Sequence, residues 1–429
     1  MNPAVKKGFA IVGVALLLLL PLAWLHGLVS ERTALREQAI AAVARGWGGR
    51  QMLAGPILAI PVTTTLDNGH TQTRDWYVLP ESLDLDVDVT VNPERRKLGV
   101  YEVPVYVATV HAKGQFDLAR EMVKLMAGDG QVRVHADRGR LFLPLSDPRG
   151  VREIKLSEPR LTTVALEPWR GFPIPVLAAP LRADVGSSND KQPFELTYTV
   201  AGTQSLAFLP FAHASHVKLR GNWPAPGFAS GFLPAERHVH SAGFDATWQV
   251  SDLNRSYGAR WMEGDVAAND LQDSSFGVDL VQPVDLYQQI ERAVKYAGVF
   301  IGLSFLTLFI WEHLVRRPVH PIQYAFMGLA LSVFFLLLLA LAEHLGFRFA
   351  YVLAALALCS LLGVYLAGAM GTPRAGAASS GLFALLYGLL YLLVTSDDYA
   401  LLAGALGLFA VLAVAMVLTR KINWYQAIE

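Results

Sequence analysis

The chain has 429 residues, 53% of them hydrophobic and 17% charged, with 36 basic residues against 36 acidic ones. A soluble domain carries about 25% charged residues, so part of this chain faces something other than water. Zero net charge argues against a nucleic-acid partner, which needs a basic surface to displace counterions. The single cysteine, Cys359, excludes an internal disulfide framework.

The averages conceal a division. Residues 291–429 hold eight Lys/Arg and six Asp/Glu, and residues 1–29 hold only Lys6 and Lys7. The remaining stretch, 30–290, carries 26 basic and 30 acidic side chains and reads as water-facing.

The first apolar run, 9–29, is long enough for a hydrocarbon core of about 30 Å and lacks a clear small-x-small cleavage site. It is expected to be an uncleaved anchor, kinked at Pro21. A helix over 30–45 should extend it, with Ser30 as N-cap and Gly46 as the stop.

Short strands follow. Leu83, Leu85, Val87 and Val89 alternate with Asp84, Asp86, Asp88 and Thr90, a period of two with one wet face. Val103-Pro-Val-Tyr-Val-Ala-Thr-Val110, Val132-Arg-Val-His135, Leu141-Phe-Leu-Pro-Leu145, Phe194-Glu-Leu-Thr-Tyr-Thr-Val200 and Phe244-Asp-Ala-Thr-Trp-Gln-Val250 are similar runs bounded by Gly, Pro or Asp. This spacing predicts a β-rich domain of antiparallel, sandwich-like or barrel-like sheets. It leaves open one large sheet system or two subdomains with a seam at 175–189.

Five further apolar runs, near 294–315, 322–342, 349–370, 377–394 and 399–419, predict a C-terminal bundle of five membrane helices. The expected whole is a mixed membrane protein: anchor 1–29, β-rich domain 30–290 and bundle 291–429. Six spans put both termini on one side. Lys6, Lys7, Arg316, Arg317, Arg374, Arg420 and Lys421 fall on that side against Arg348 opposite, so the termini are expected in the cytoplasm and the β-rich domain in the periplasm.

Signatures of chemistry are sparse. Neither G-x-S-x-G, H-E-x-x-H, Walker A nor G-x-G-x-x-G occurs. Ser188 and Lys191 have S-x-x-K spacing, but Gly186-Ser-Ser-Asn-Asp-Lys191 is turn composition without K-T-G partners. Asp84, Asp86 and Asp88 could offer oxygens to calcium, yet nothing nearby completes the shell. His238 and His240 with His213 or His216 could be read as a zinc site, yet surface histidines explain them more simply. No catalytic, cofactor or metal residue is therefore assigned.

The membrane region offers better candidates, because ionisable groups at membrane depth are costly and turn inward. Glu312-His313 closes the second span and Glu343-His344 the third, at opposite membrane faces. Lys295, Glu343, His344, Arg348, Asp397 and Asp398 share one level, where Lys295 or Arg348 could pair with the carboxylates; the simple alternative is charges reaching interfacial water. At the other level Glu312, His313 and His320 lie with Arg316 and Arg317 near the aromatic pair Trp424 and Tyr425. Gly298 and Gly302 form a G-x-x-x-G, echoed by Ala400 and Gly404, where helices could approach closely.

These residues resemble the CreD family, also called the cell envelope integrity family. The likeness is carried by Pro283-Val-Asp-Leu-Tyr-Gln288, Arg292-Ala-Val-Lys-Tyr-Ala297, Phe309-Ile-Trp-Glu312, His320-Pro-Ile-Gln-Tyr324, Leu336-Leu-Leu-Leu-Ala-Leu-Ala-Glu-His344, Ser396-Asp-Asp-Tyr-Ala-Leu-Leu402 and Thr419-Arg-Lys-Ile-Asn-Trp-Tyr425. Gly55-Pro-Ile-Leu-Ala-Ile-Pro61, Glu94-Arg-Arg-Lys-Leu-Gly-Val-Tyr101 and Gly231-Phe-Leu-Pro-Ala-Glu236 extend it through the β-rich region. Trp311 stands where the pattern has Phe, and Asn423 where it has Asp. The resemblance implies an inner-membrane protein under a carbon-source-responsive two-component system, linked to envelope integrity, colicin tolerance and β-lactam response. It implies no established reaction, so the leading expectation is a non-enzymatic scaffold or sensor with the lipid bilayer and envelope proteins as partners. A transporter of a small solute or lipid, using the bundle's ionisable residues, is the alternative, and an envelope hydrolase ranks last.

Overall fold

The computed structural model describes residues 3–65, 70–92, 96–126, 132–156, 161–162, 164–182, 191–228, 231–280, 286–315, 319–396 and 400–419. The chain divides into two compact units, Met1–Glu37 with Val284–Glu429, and Gln38–Pro283.

The N-terminal run forms helices α1 (Pro3–Leu17) and α2 (Leu19–Trp47). The break falls at Leu18 and not at Pro21. Pro21 offers no N–H to Leu17, and its ring crowds that carbonyl, so the disturbance lies one turn before the proline. Ser30 is no N-cap. Its hydroxyl donates back to the His26 carbonyl at 3.0 Å within an unbroken helix. Gly46 does not stop the helix either: Gly48 does, at φ 127, with its N–H on the Ala44 carbonyl at 2.9 Å.

In the unit spanning Gln38–Pro283, one seven-stranded sheet has the order Val151–Leu156, Gln192–Thr203, Val105–Phe116, Ser82–Val91, Ala214–Gly221, Gly243–Ser251, Glu236–His240. A second runs Glu167–Trp169, Val176–Pro180, Arg140–Pro144, Ile57–Thr65, Thr71–Val78, Arg260–Met262, with Val132–Val134 also paired to Ile57–Thr65. A four-stranded sheet joins Gln51–Leu53, Ser205–Phe208, Phe276–Leu280 and Pro226–Gly227, and Arg96–Leu98 pairs Tyr101–Val103. Two short helices, α3 (Leu118–Met126) and α4 (Ala268–Asp273), decorate the sheets.

All six strand runs expected from alternation occur. Along Ser82–Val91 the residues Leu83, Leu85, Val87, Val89 and Val91 are buried, while the aspartates face out. Together with Trp76, Tyr106, Trp248 and Phe276 they build the main core; full burial of each aliphatic side chain contributes about 1.5–3 kcal/mol. Two pairings differ from the antiparallel expectation: Ala214–Gly221 lies parallel to Ser82–Val91, and Gln51–Leu53 lies parallel to Ser205–Phe208. More than a hundred residues separate the partners in each case, so no tight turn dictates direction. Strands from both sides of 175–189 share a sheet, since Gln192–Thr203 pairs with both Val105–Phe116 and Val151–Leu156.

The C-terminal helices are α5 (Leu286–Val315), α6 (Pro321–Leu345), α7 (Phe347–Met370), α8 (Pro373–Thr395) and α9 (Ala400–Thr419). Among the described residues, five helical stretches are long and apolar enough to cross a membrane: the N-terminal Phe9–Trp47 and four C-terminal ones, Leu286–Glu312, Pro321–Leu345, Phe347–Met370 and Pro373–Thr395. Close approach falls elsewhere than expected. A Cβ on Gly298 or Gly302 would meet nothing within 4 Å, whereas one on Gly363 would sit 2.1 Å from Ser380 Oγ, and one on Gly376 2.5 Å from the Gly363 carbonyl. Helices α7 and α8 therefore pack backbone to backbone. Phe334 joins them through edge contacts with Tyr351 and Tyr387 at 5.6 and 4.7 Å, and Tyr351 donates to the Tyr387 carbonyl at 2.6 Å.

Candidate functional site

Glu343 is the centre of the first candidate cluster. It ends α6 with its side chain only 10% exposed. Arg32 of α2 brings Nε to 3.7 Å from Glu343 Oε1, and Tyr287 at the start of α5 donates its hydroxyl to the same oxygen at 3.2 Å. Arg32 precedes the β-rich region in the chain and Tyr287 follows it. The two helices that bracket that region are thus tied to one carboxylate.

The expected partners of Glu343 were others. Lys295 pairs instead with Glu291, one turn back on its own helix, at 2.9 Å. His344 and Arg348 are exposed. Asp397 and Asp398 lie outside the described residues, as do Arg316, Arg317, Trp424, Tyr425 and Ser188. The expected common level did not predict the pairing of Lys295, because helix rotation also decides which side chains meet. Arg32 and Tyr287 were missed. The available signal was spacing, since Arg32 falls three residues after the first apolar run.

The second cluster separates into two roles. Glu312 is 6% exposed and accepts from the Tyr324 hydroxyl at 3.0 Å, with Tyr324 fully buried against Phe305. The Glu312 side chain is turned into the protein. His320 caps α6: its Nδ1 accepts from the Ile322 N–H at 3.3 Å, while Gln323 Oε1 accepts from the His320 N–H at 2.9 Å. The His313 side chain is outside the described residues.

In the β-rich unit the aspartate stripe meets arginine. Arg220, on the parallel neighbour strand, reaches Asp86 at 2.7 Å and Asp88 at 2.8 Å, and His216 lies 3.5 Å from Asp84. The Arg220 hydrogen bond holds the Asp88 carboxyl below its ordinary range. His240 approaches Asp245 at 3.7 Å. Among the described residues no group of three His, Cys, Asp or Glu side chains could hold a metal ion.

A further node has no sequence signature. Glu121 of α3, with its side chain 5% exposed, receives Lys124 at 2.6 Å and Arg260 at 2.7 Å. His213 stands 3.9 Å from Glu121 and 2.7 Å from Asp252. Arg260 is 139 positions from Glu121, so only the fold brings them together.

The fold and these clusters define a membrane protein with an apolar N-terminal helix, a large β-rich middle region and a C-terminal set of apolar helices. The model of the family described as "Inner membrane protein CreD" matches residues 3–425. The chain is also 34% identical over 444 residues to a relative named Inner membrane protein CreD from Escherichia coli (strain K12), covering 99% of this chain and 94% of that protein. The chain belongs to the CreD family and is an inner-membrane protein.

Proposed function

We propose that the chain is a non-enzymatic envelope protein: a membrane mount that presents its β-rich domain in the periplasm and supports envelope integrity and stress tolerance through protein contacts. The observation that carries this reading is the convergence of Arg32 and Tyr287 on Glu343. A carboxylate committed to an arginine and a tyrosine is suited to holding helices in register. The transport alternative uses Glu343, His344, Asp397 and Asp398 as ionisable groups; among the described residues Glu343 is engaged by Arg32 and Tyr287, which supports the holding role instead.

The same reading includes six crossings, with α9 as the last. Basic residues Lys6, Lys7, Arg316, Arg317, Arg374, Arg420 and Lys421 then hold both termini in the cytoplasm. Cysteine accessibility from the two membrane faces tests this arrangement.

Complementation of a deletion strain tests the mount. Charge reversal at either position, Arg32→Glu or Glu343→Arg, is expected to reduce detergent and β-lactam tolerance, and the double exchange to restore it. Asp397→Ala and Asp398→Ala are expected to complement fully. Failure of the exchanged pair at normal protein levels, with loss in the aspartate variants, would overturn the mount in favour of a chemical role.

A further inference from the structure

The outer face of the four-stranded sheet carries a cavity of about 360 Å³ that none of the clusters above uses. Its floor follows from strand register. Ser205 stands opposite Asp279, and Met52 stands beside Ala207. Side chains at i and i+2 share a face, so Ser205 and Ala207 leave that face shallow between longer neighbours. Arg50 and Ser146 line the cavity together with Gln272, in the last turn of α4, and Ser275, which follows that helix.

Two charges line this cavity, Arg50 and Asp279, and among the described residues neither has an ionic partner. Arg50 donates its Nε to Gln204 Oε1 at 3.0 Å. Among the described residues no carboxylate reaches its guanidinium, and no cation reaches Asp279. On the seven-stranded sheet that contains Ser82–Val91 the exposed aspartates of that strand, by contrast, are matched by Arg220 and His216.

The surroundings hold this arrangement in place. Gln204, which fixes the guanidinium, has φ 64, the sole non-glycine residue with positive φ among those described. Gln51 also lines the cavity and is 1% exposed. Its Nε2 donates to the carbonyls of Asp147 and Ala201 at 3.1 and 3.0 Å, while among the described residues its Oε1 has no donor. A buried amide oxygen left without a donor costs free energy.

We propose that this cavity binds a small zwitterion of the amino-acid or short-peptide class. The carboxylate would take the two terminal nitrogens of Arg50, whose planar fork matches it. The ammonium would take Asp279, and the hydroxyls of Ser205 and Ser275 would serve the intervening amide. A plain anion would meet Asp279, a plain cation would meet Arg50, and a neutral ligand would leave both charges idle. The volume suits a dipeptide.

The test is titration calorimetry on the full-length protein in detergent, with alanyl-alanine as the L,L and D,D isomers and in N-acetylated and C-amidated forms. The expected result is binding of at least one uncapped isomer, weakened about tenfold or more by either cap. Arg50→Gln should abolish the penalty for C-amidation alone, and Asp279→Asn the penalty for N-acetylation alone. Both positions are exposed, and an unchanged thermal unfolding midpoint will show that each variant folds. A preference between the isomers separates ordinary polypeptide fragments from peptides of D-residues. Absence of binding to either isomer at about 10 mM, or binding indifferent to both caps, overturns the proposal.

Discussion

Arg32 and Glu343 meet at 3.7 Å although 311 positions separate them, and Tyr287 completes the contact from a third helix. Arg32 is 39% exposed, so the ion pair alone contributes about 0–1 kcal/mol. The Tyr287 hydroxyl, donating to a largely buried carboxylate, adds about 1 kcal/mol. Glu343→Ala is accordingly expected to cost about 1–2 kcal/mol. A double-mutant cycle on thermal unfolding in detergent should give a larger coupling for Tyr287 with Glu343 than for Arg32 with Glu343. Coupling near zero for both pairs would show that the contact does not hold the helices together.

Glu312 and Tyr324 offer a more buried version of the same chemistry. Tyr324→Phe keeps the ring against Phe305 and removes only the hydroxyl that serves the carboxylate. The expected loss is about 1–2 kcal/mol, because a buried acceptor is deprived of a donor. Tyr324→Leu should cost more, since the edge contact at 5.6 Å is lost as well. Equal unfolding midpoints for the wild type and Tyr324→Phe would refute the importance of this bond.

What the sequence revealed follows a physical division. Leu83, Leu85, Val87 and Val89 announced their strand because a period of two maps directly onto two faces. The apolar runs announced helices because length and composition suffice for a span. Pairings between distant segments were not legible: the parallel neighbour of that strand, the approach of Arg260 to Glu121, and the choice of Arg32 over Lys295 by Glu343 all depend on which surfaces the fold brings together. The G-x-x-x-G of Gly298 and Gly302 shows the same limit, since small residues permit close approach without requiring it.

Glycines at the end of α2 give a prediction with two signs. Gly46 is helical, and a Cβ there meets nothing within 4 Å. Gly46→Ala should stabilise by about 0.5–1 kcal/mol through the lower helix propensity of glycine. Gly48 sits at φ 127, and its Cβ would lie 2.4 Å from the Ala201 carbonyl oxygen. Gly48→Ala should therefore cost about 2–4 kcal/mol. The sequence Gly46-Trp-Gly-Gly49 contains three possible stops, and only the packing against Ala201 selects the second. Equal effects of the two substitutions on thermal unfolding would contradict this assignment.

The Glu121 node sets a pH dependence. Burial on its own pushes the Glu121 carboxyl up, but the hydrogen bonds from Lys124 and Arg260 outweigh it and hold the group below its ordinary range. A carboxyl whose folded value is depressed contributes stability that is fully present above its unfolded value, near 4.5, and is lost as pH falls through the folded value. Glu121→Gln removes the charge that both cations share. Since Lys124 and Arg260 are 32% and 37% exposed, solvent screening limits the expected loss at neutral pH to about 1–2 kcal/mol. Below about pH 4.5 the variant and the wild type should converge, because protonation removes the same charge from the native protein. Thermal unfolding midpoints recorded from pH 7 down to pH 3 will read the difference directly; a gap that persists or widens on acidification would mean that the charge of Glu121 is not what holds α3 to the strand carrying Arg260.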